Sequence, residues 1–164
     1  MSRFYAPKDQ ATLIRAMSLL PDDVKLILVG DGELLPQCRE LVKELKLEER
    51  VLFLGVRMDV PRLLKTADIL ALSSNYEGLS LACLEGMASG RPFIASDVPG
   101  ITDTVKGAGI IFPAGNAEAL AIVIRDLLAD EKRYDDTVKA CMERAAQYDI
   151  SVMTDRYMEL WRAV

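Results

Sequence analysis

Apolar residues along the 164-residue chain fall into two kinds of run. Short continuous runs occur at Lys25-Leu26-Ile27-Leu28-Val29, Val51-Leu52-Phe53-Leu54, Asp68 to Leu72, Phe93-Ile94-Ala95 and Gly109-Ile110-Ile111-Phe112. Each is short enough for a strand and lacks polar alternation, which predicts parallel strands buried on both faces. Between them the apolar positions recur with helical spacing: Leu13, Ile14, Met17 and Leu20; then Leu34, Cys38, Leu41, Val42 and Leu45; then Leu120, Val123, Ile124, Leu127 and Leu128. These predict amphipathic helices, the first from about Gln10 to Leu20, the second with Pro36 in its first turn, the third capped near Asn116. Shorter helices are predicted over Val60 to Thr66 and Ile101 to Val105. Beyond Asp130 the pattern is helical throughout, with Tyr134, Val138, Cys141, Ala145 and Tyr148 on one helix and Met153, Tyr157, Leu160 and Trp161 on another. An aromatic stripe of the latter kind is normally core, and most of it is assigned there. Strands alternating with helices five or six times predict an α/β chain with a doubly wound parallel sheet, whose ligands lie beyond the strands' carboxyl ends.

Composition narrows the chemistry. With 51% hydrophobic and 27% charged residues the chain reads as one globular domain. Its net charge of −5 argues against nucleic-acid binding, which needs clustered Lys and Arg, but not against binding a single nucleotide. The sequence contains no histidine, which removes imidazole acid/base chemistry, a Ser-His-Asp triad and most zinc sites. Catalysis would rest on carboxylates, Lys, Arg or backbone. Cys38, Cys83 and Cys141 lie far apart in predicted helices and read as reduced, buried thiols; no metal site is expected. No apolar run approaches the ~20 residues of a membrane span and no signal peptide opens the sequence, so a cytoplasmic location is expected.

The chemistry converges on the stretch SSNYEGLSLACLEGMASGRPFIASDVPG, Ser73 to Gly100. The strand ending at Leu72 runs into a loop that opens a helix through Gly78-Leu79-Ser80-Leu81, where free amides and the helix dipole suit an anion such as phosphate. Glu77 precedes this turn and Glu85 follows it in the helix. Helical counting places Glu85 with Leu81, Leu84 and Ala88 on the face expected to meet the sheet, where a carboxylate needs a partner; the alternative is a helix rotated so that Glu85 meets solvent. Gly30-Asp31-Gly32 after an earlier strand lacks the third glycine of a dinucleotide fingerprint and reads as a tight turn allowing close backbone approach. Ser96-Asp97-Val98-Pro99-Gly100 ends a strand on the same rim, with a site role for Asp97 or Gly100 weighed against a purely structural turn.

The run EGLSLACLEGMASGRPFIASDVPG resembles the signature of the nucleotide-sugar-binding half of retaining GT-B glycosyltransferases, the large family 4 or glycosyl transferases group 1, typified by sucrose synthase and by transferases of cell-surface polysaccharide assembly. Its marks here are two acids separated by seven residues, Glu77 and Glu85, followed by the Gly90-Arg91-Pro92 turn into a strand. The resemblance extends from Arg3 to Trp161 and implies a Rossmann-like domain. The segment Met1-Ser2-Arg3-Phe4-Tyr5 leaves no room for a full first strand, so residues 1–164 are expected to be a single donor-nucleotide-binding domain from a longer protein, lacking an N-terminal acceptor domain and most of the first strand.

What the resemblance implies is specific. The ligand is a nucleoside diphosphate sugar, with no cofactor and no metal ion. Arg3 and Lys8, which by themselves read as two surface cations, match positions that contact the diphosphate. Gly78, Leu79, Ser80 and Leu81 supply amides to it, Glu85 holds the ribose diol, and Glu77 sits by the sugar, so that Glu77, Arg3 and Lys8 form the catalytic set. Gly30 borders the donor cleft, and Gly55, Val56 and Arg57 are candidates for base contacts, Arg57 equally reading as an exposed loop residue. Leu79 and Ser80 depart from the family's usual Phe and Gly. The terminal helix crosses to the partner domain, which would leave part of its stripe exposed here. The intact protein would transfer a sugar with retention, in polysaccharide or glycolipid synthesis, in peripheral contact with a membrane or without it. Two rivals stand beside this: a nucleotide-sugar epimerase of the same architecture, which leans on histidines the chain lacks, and a noncatalytic nucleotide-binding α/β module such as a receiver-like domain, whose acidic positions are missing after Phe53-Leu54-Gly55.

Overall fold

The computed structural model describes residues 3–78 and 80–162. Along the chain the elements are α1 (Gln10–Met17), β1 (Leu26–Leu28), α2 (Leu35–Glu44), β2 (Val51–Phe53), α3 (Val60–Thr66), β3 (Leu70–Leu72), α4 (Leu81–Met87), β4 (Phe93–Asp97), α5 (Thr102–Val105), β5 (Ile110–Pro113), α6 (Ala117–Ala129), α7 (Glu131–Ala146) and α8 (Ile150–Arg162). All pairing between named strands is parallel, but it forms two sheets: β1-β2 and β3-β4-β5. Leu26 pairs with Val51 in the first, while Leu70 pairs with Phe93 and Ile94 with Ile110 in the second.

The predicted starts of the long helices hold because their caps are local. Asp9 accepts from the Thr12 amide at 3.1 Å to open α1, and Asn116 accepts from the Ala119 amide at 2.9 Å to open α6. Pro36 lies in the first turn of α2, where its missing N–H costs nothing.

Strand β4 divides the core. Ile94 faces one cluster with Ile14, Leu120 and Leu127 of α1 and α6. Phe93 and Ala95 face the other, with Cys83 and Met87 of α4, Val105 and Cys141. Helices thus cover both faces of this sheet, as a doubly wound fold requires. The three cysteines are free and buried, each in a helix, as expected.

Two expectations about burial fail. Lys25 to Val29 was expected to be buried on both faces, yet β1 spans only Leu26–Leu28 and Ile27 is 47% exposed. Leu26 and Leu28 pack into the core cluster shared with α1 and α2, whereas Ile27 and its pairing partner Leu52 lie on the opposite, uncovered side. The stripe of α8 was assigned mostly to core, but no residue of α8 is buried and Trp161 is 81% exposed. Its periodicity reports a face left open among the described residues; the apolar pattern alone cannot say what a helix packs against.

Gly86 sets the rotation of α4. A Cβ built there would lie 2.4 Å from the ring of buried Phe93, so the helix backbone approaches β4 closest at this point and Cys83, Gly86 and Met87 form its packed side. Gly86→Ala should gain about 1 kcal/mol of helix propensity but lose about 1–3 kcal/mol by overpacking. The expected outcome is a net destabilisation of up to about 2 kcal/mol in urea unfolding, reversed by a second change, Phe93→Leu, that makes room for the methyl group.

Candidate functional site

The site lies where the parallel strands end and is closed by the start of the chain. Phe4 donates its amide to the Asp31 carbonyl at 2.9 Å and accepts from the Leu34 amide at 2.9 Å, beyond the end of β1. Asp9 donates its amide to the Ser73 carbonyl at 3.1 Å, and Asn75 donates to the Pro7 carbonyl at 2.8 Å, beyond the end of β3. Residues 4–9 therefore arch from one sheet to the other. Gly32 permits the first contact, because a Cβ there would lie 2.5 Å from the Phe4 carbonyl oxygen.

The arch brings Lys8 to Glu77. Their side chains form an ion pair across a sequence separation of 69 residues, and Glu77 Oε1 also accepts from the Ser74 hydroxyl at 2.9 Å. Both charged side chains are largely withdrawn from water, 19% exposed for Lys8 and 14% for Glu77, where an ion pair is screened less than on the open surface.

The loop carrying Glu77 is pinned from beneath. Buried Ser96, at the end of β4, donates its hydroxyl to the Ser74 carbonyl at 2.7 Å and accepts from the Ser74 amide at 2.9 Å. Gly100 passes directly under the same loop: a Cβ there would lie 2.2 Å from the Glu77 carbonyl oxygen and 2.7 Å from that of Gly78, and its φ of 83° lies in the left-handed region. Ser74, Ser96 and Gly100 thus hold the loop, a part that sequence reading missed except for an undecided Gly100. The signal for Gly100 was its place after a strand on the ligand rim; Ser96 carried none, since a serine at a strand end is unremarkable.

Helix α4 begins at Leu81, with buried Ser80 in the N-cap position and no side-chain bond capping it. Ser80's carbonyl accepts from Cys83 and Leu84 at 3.0 and 3.3 Å, and helix geometry leaves the amides of Leu81 and Ala82 without intrahelical acceptors. Leu79 lies outside the described residues. Gly78 is exposed.

Of the two placements open to Glu85, the structure takes the rotated helix and not the one that faces the sheet. Glu85 is exposed, as are Leu81 and Ala88, while Leu84 is partly buried. The close approach of Gly86 to Phe93 turns α4 so that Cys83, Gly86 and Met87 meet the sheet, and the Leu81, Glu85 and Ala88 line faces outward. The acid therefore needs no partner in the core; it stands one helical turn from the open amides.

The remaining candidates sit at the same strand ends but apart from this cluster. Gly30 donates its amide to the Gly55 carbonyl at 2.8 Å, joining the turns after β1 and β2. Val56 is 73% exposed. Arg57 is exposed and forks onto Asp59, Nε to Oδ1 and Nη2 to Oδ2, each at 2.8 Å; this bond holds the Asp59 carboxyl below the usual carboxylate range. Arg3 is exposed and its carbonyl accepts from Gln10 at 3.0 Å. Asp97 accepts from the Thr102 hydroxyl at 2.6 Å, which ties it to its own turn. Among the described residues no group of three or more acids and cysteines is placed to hold a metal ion, and no helix is long and apolar enough to cross a membrane.

Parallel sheets flanked by helices, with charged groups gathered at the strand ends, define an α/β domain of the doubly wound class. Residues 1–144 match the model for glycosyl transferases group 1, and the chain belongs to that family. It is 33% identical over 149 residues, 90% of this chain and 39% of the relative, to the N,N'-diacetylbacillosaminyl-diphospho-undecaprenol alpha-1,3-N-acetylgalactosaminyltransferase of Campylobacter jejuni. It is 31% identical to the lipopolysaccharide core biosynthesis glycosyltransferase LpsD of Rhizobium meliloti, over 98% of this chain and 48% of that one. The crystal structure of Anabaena HepE in complex with UDP superposes with a TM-score of 0.94 at 27% identity, covering 100% of this chain and 48% of HepE. The sucrose-phosphate synthase of Thermosynechococcus elongatus gives 0.85 at 31% identity, covering 100% of this chain and 45% of the enzyme. The chain spans about half or less of the length of these relatives.

Two outcomes test the local structure. Gly100→Ala should displace the Glu77 loop, with NMR shift changes at Ser74 and Glu77 larger than those at Ile14 in the distant core. Burial pushes the Cys83 thiol up to about 11, so at pH 8 it should form thiolate about 100-fold less readily than an exposed cysteine and alkylate correspondingly slowly until the chain unfolds. A raised thiol value stabilises the folded state below the unfolded thiol's value and that contribution falls away as pH climbs toward 11.

Proposed function

We propose that this chain is the donor-binding half of a retaining glycosyltransferase that moves a sugar from a nucleoside diphosphate sugar to an acceptor held by a further, N-terminal domain. One observation carries the reading: Lys8 and Glu77, distant in sequence, meet at the strand ends beside the uncapped start of α4. The relatives point to the ligand class, since HepE is named in complex with UDP and with UDP-glucose, and matched curated relatives assemble lipid-linked or lipopolysaccharide sugars.

When the bond between the anomeric carbon and the diphosphate breaks, negative charge collects on the leaving phosphate oxygens. Lys8, Arg3 and the amides at the start of α4 neutralise that charge without a metal ion, which lowers the barrier because these groups are positioned before the reaction begins. The Lys8–Glu77 pair prepares this. Glu77 holds the ammonium at the rim while the donor is absent, and a phosphate arriving there shares the cation with it. Glu77 itself then accepts from sugar hydroxyls and offsets positive charge at the anomeric carbon. Glu85, outward on α4, accepts from the ribose diol, and the Gly55–Arg57 turn faces the base. The whole enzyme would work on the cytoplasmic side of a membrane, in polysaccharide or glycolipid synthesis.

Titration calorimetry with UDP, GDP and ADP tests the reading on the chain as it is. We expect weak binding of a nucleoside diphosphate, UDP first among them, and no transfer. Glu85→Ala should weaken it about 10- to 100-fold, the loss of charge-assisted hydrogen bonds. Lys8→Ala should weaken the diphosphate by a similar factor and uridine alone by little. Equal affinity in all three proteins, or no binding of any nucleotide, would overturn the assignment.

A further inference from the structure

The Glu77 carboxylate is held unevenly. Each of its oxygens can accept two hydrogen bonds, and both donors that reach the group meet at Oε1: the Lys8 ammonium and, at 2.9 Å, the Ser74 hydroxyl. Among the described residues nothing bonds to Oε2. Nor is Oε2 sealed inside the protein, since no buried carboxylate oxygen of the described residues lacks a partner. One oxygen is filled from within the chain, and the other is open to what arrives from outside.

The two donors differ in what else they can do. Lys8 carries three N–H groups on a flexible stem, so its ammonium can turn toward a stronger anion without leaving the arch. Ser74 is buried, and its backbone is fastened on two sides. The Ser96 hydroxyl donates to its carbonyl and accepts from its amide. Lys8 and Ser74 also form an isolated antiparallel bridge, flanked by the bonds from Asn75 to the Pro7 carbonyl and from Asp9 to the Ser73 carbonyl. All of these bonds use the main chain of residue 74. The hydroxyl of Ser74 therefore takes no part in pinning the loop, and its single proton goes to Glu77.

We propose that Ser74 is the positioning residue of Glu77: it fixes Oε1 so that Oε2 is the oxygen offered to the ligand, and it keeps the carboxylate in place once an anion draws Lys8 away. This rests on the donor-site reading above, in which a diphosphate shares the Lys8 ammonium. The empty site has two holds on Glu77 and the loaded site has one. A glutamate released from both would spread over several staggered rotamers, at the stage where the sugar has to meet an oxygen of fixed position. A hydroxyl suits this task better than a second cation. Being neutral, it does not draw the phosphate toward Glu77, and being buried on a pinned backbone it cannot follow Lys8 to the ligand.

The test reads the side-chain rotamer of Glu77 by NMR, from its Hα–Hβ couplings, in the chain as it is, in Ser74→Ala, in Lys8→Met and in the double variant. The wild type and Lys8→Met should show a single rotamer, and the double variant should show averaged couplings. Saturating inorganic pyrophosphate should shift the Lys8 Nζ resonance of the wild type and leave Glu77 in its one rotamer. The same addition to Ser74→Ala should average the couplings, as Lys8→Met does, and Ser74→Thr, which keeps the hydroxyl, should restore the single rotamer. Hydrogen exchange at the amide of residue 74 should stay within about twofold of wild type in Ser74→Ala, because Ser96 still holds it. A single Glu77 rotamer in the double variant, or loss of protection at that amide in Ser74→Ala, would overturn the proposal, the second by making the hydroxyl a support of the loop. Pyrophosphate that leaves Lys8 Nζ unshifted would overturn the donor-site reading instead, while the double variant still decides the role of Ser74.

Discussion

Everything at the ligand end depends on the backbone bonds that residues 4–9 make to both sheets. Phe4 bonds to Asp31 and Leu34 past β1, and Pro7 and Asp9 bond to Asn75 and Ser73 past β3, so the arch joins β1-β2 to β3-β4-β5 by main-chain bonds in addition to helix packing. The arch is short, and it is anchored at each end by main-chain groups, which hold position more tightly than long side chains. Gly32 makes one anchor possible by lacking the atom that would strike the Phe4 carbonyl. The serines at 73, 74 and 96 secure the other, since Ser73 donates its hydroxyl to the Asp9 carbonyl and Ser96 grips Ser74 twice.

Electrostatics follows from that geometry. Lys8 rides on the arch and Glu77 on the loop that the arch clamps, so their ion pair is a consequence of the backbone arrangement more than its cause. Withdrawn from solvent, each charge needs the other. Under the proposed function, a phosphate would enter a site where the cation is already desolvated and aimed, which would favour charge stabilisation at the moment of bond breaking over simple attraction of anions. The overall negative charge of the chain then matters little for ligand choice, because the local field is made by a few placed groups.

The same logic explains why a small helix decides so much. Helix α4 spans Leu81–Met87, and its rotation about its own axis is set at Gly86 by the Phe93 ring. That contact sends Cys83 and Met87 inward and Glu85 outward, making the acid available to a ligand without a buried counter-charge. Counting apolar residues suggested the opposite face because Leu81 and Ala88 look like core residues in isolation. Leu81 is 69% exposed, and only the position of the sheet beneath the helix reveals which of two apolar stripes is used.

By itself the sequence determined the alternation of strands and helices, the cap at Asn116, the burial of three thiols and the family to which the acids at 77 and 85 belong, because these rest on local periodicity, short-range hydrogen bonding and motif spacing. Tertiary structure alone decided that Lys8 meets Glu77, that Ser96 and Gly100 support the loop, that α8 lies uncovered, and that β1 and β3 face each other across an apolar gap. Those outcomes depend on which surfaces come together in space, and a residue's neighbours across sheets are fixed by packing and by the path of the chain, neither of which is written in the spacing of a few positions.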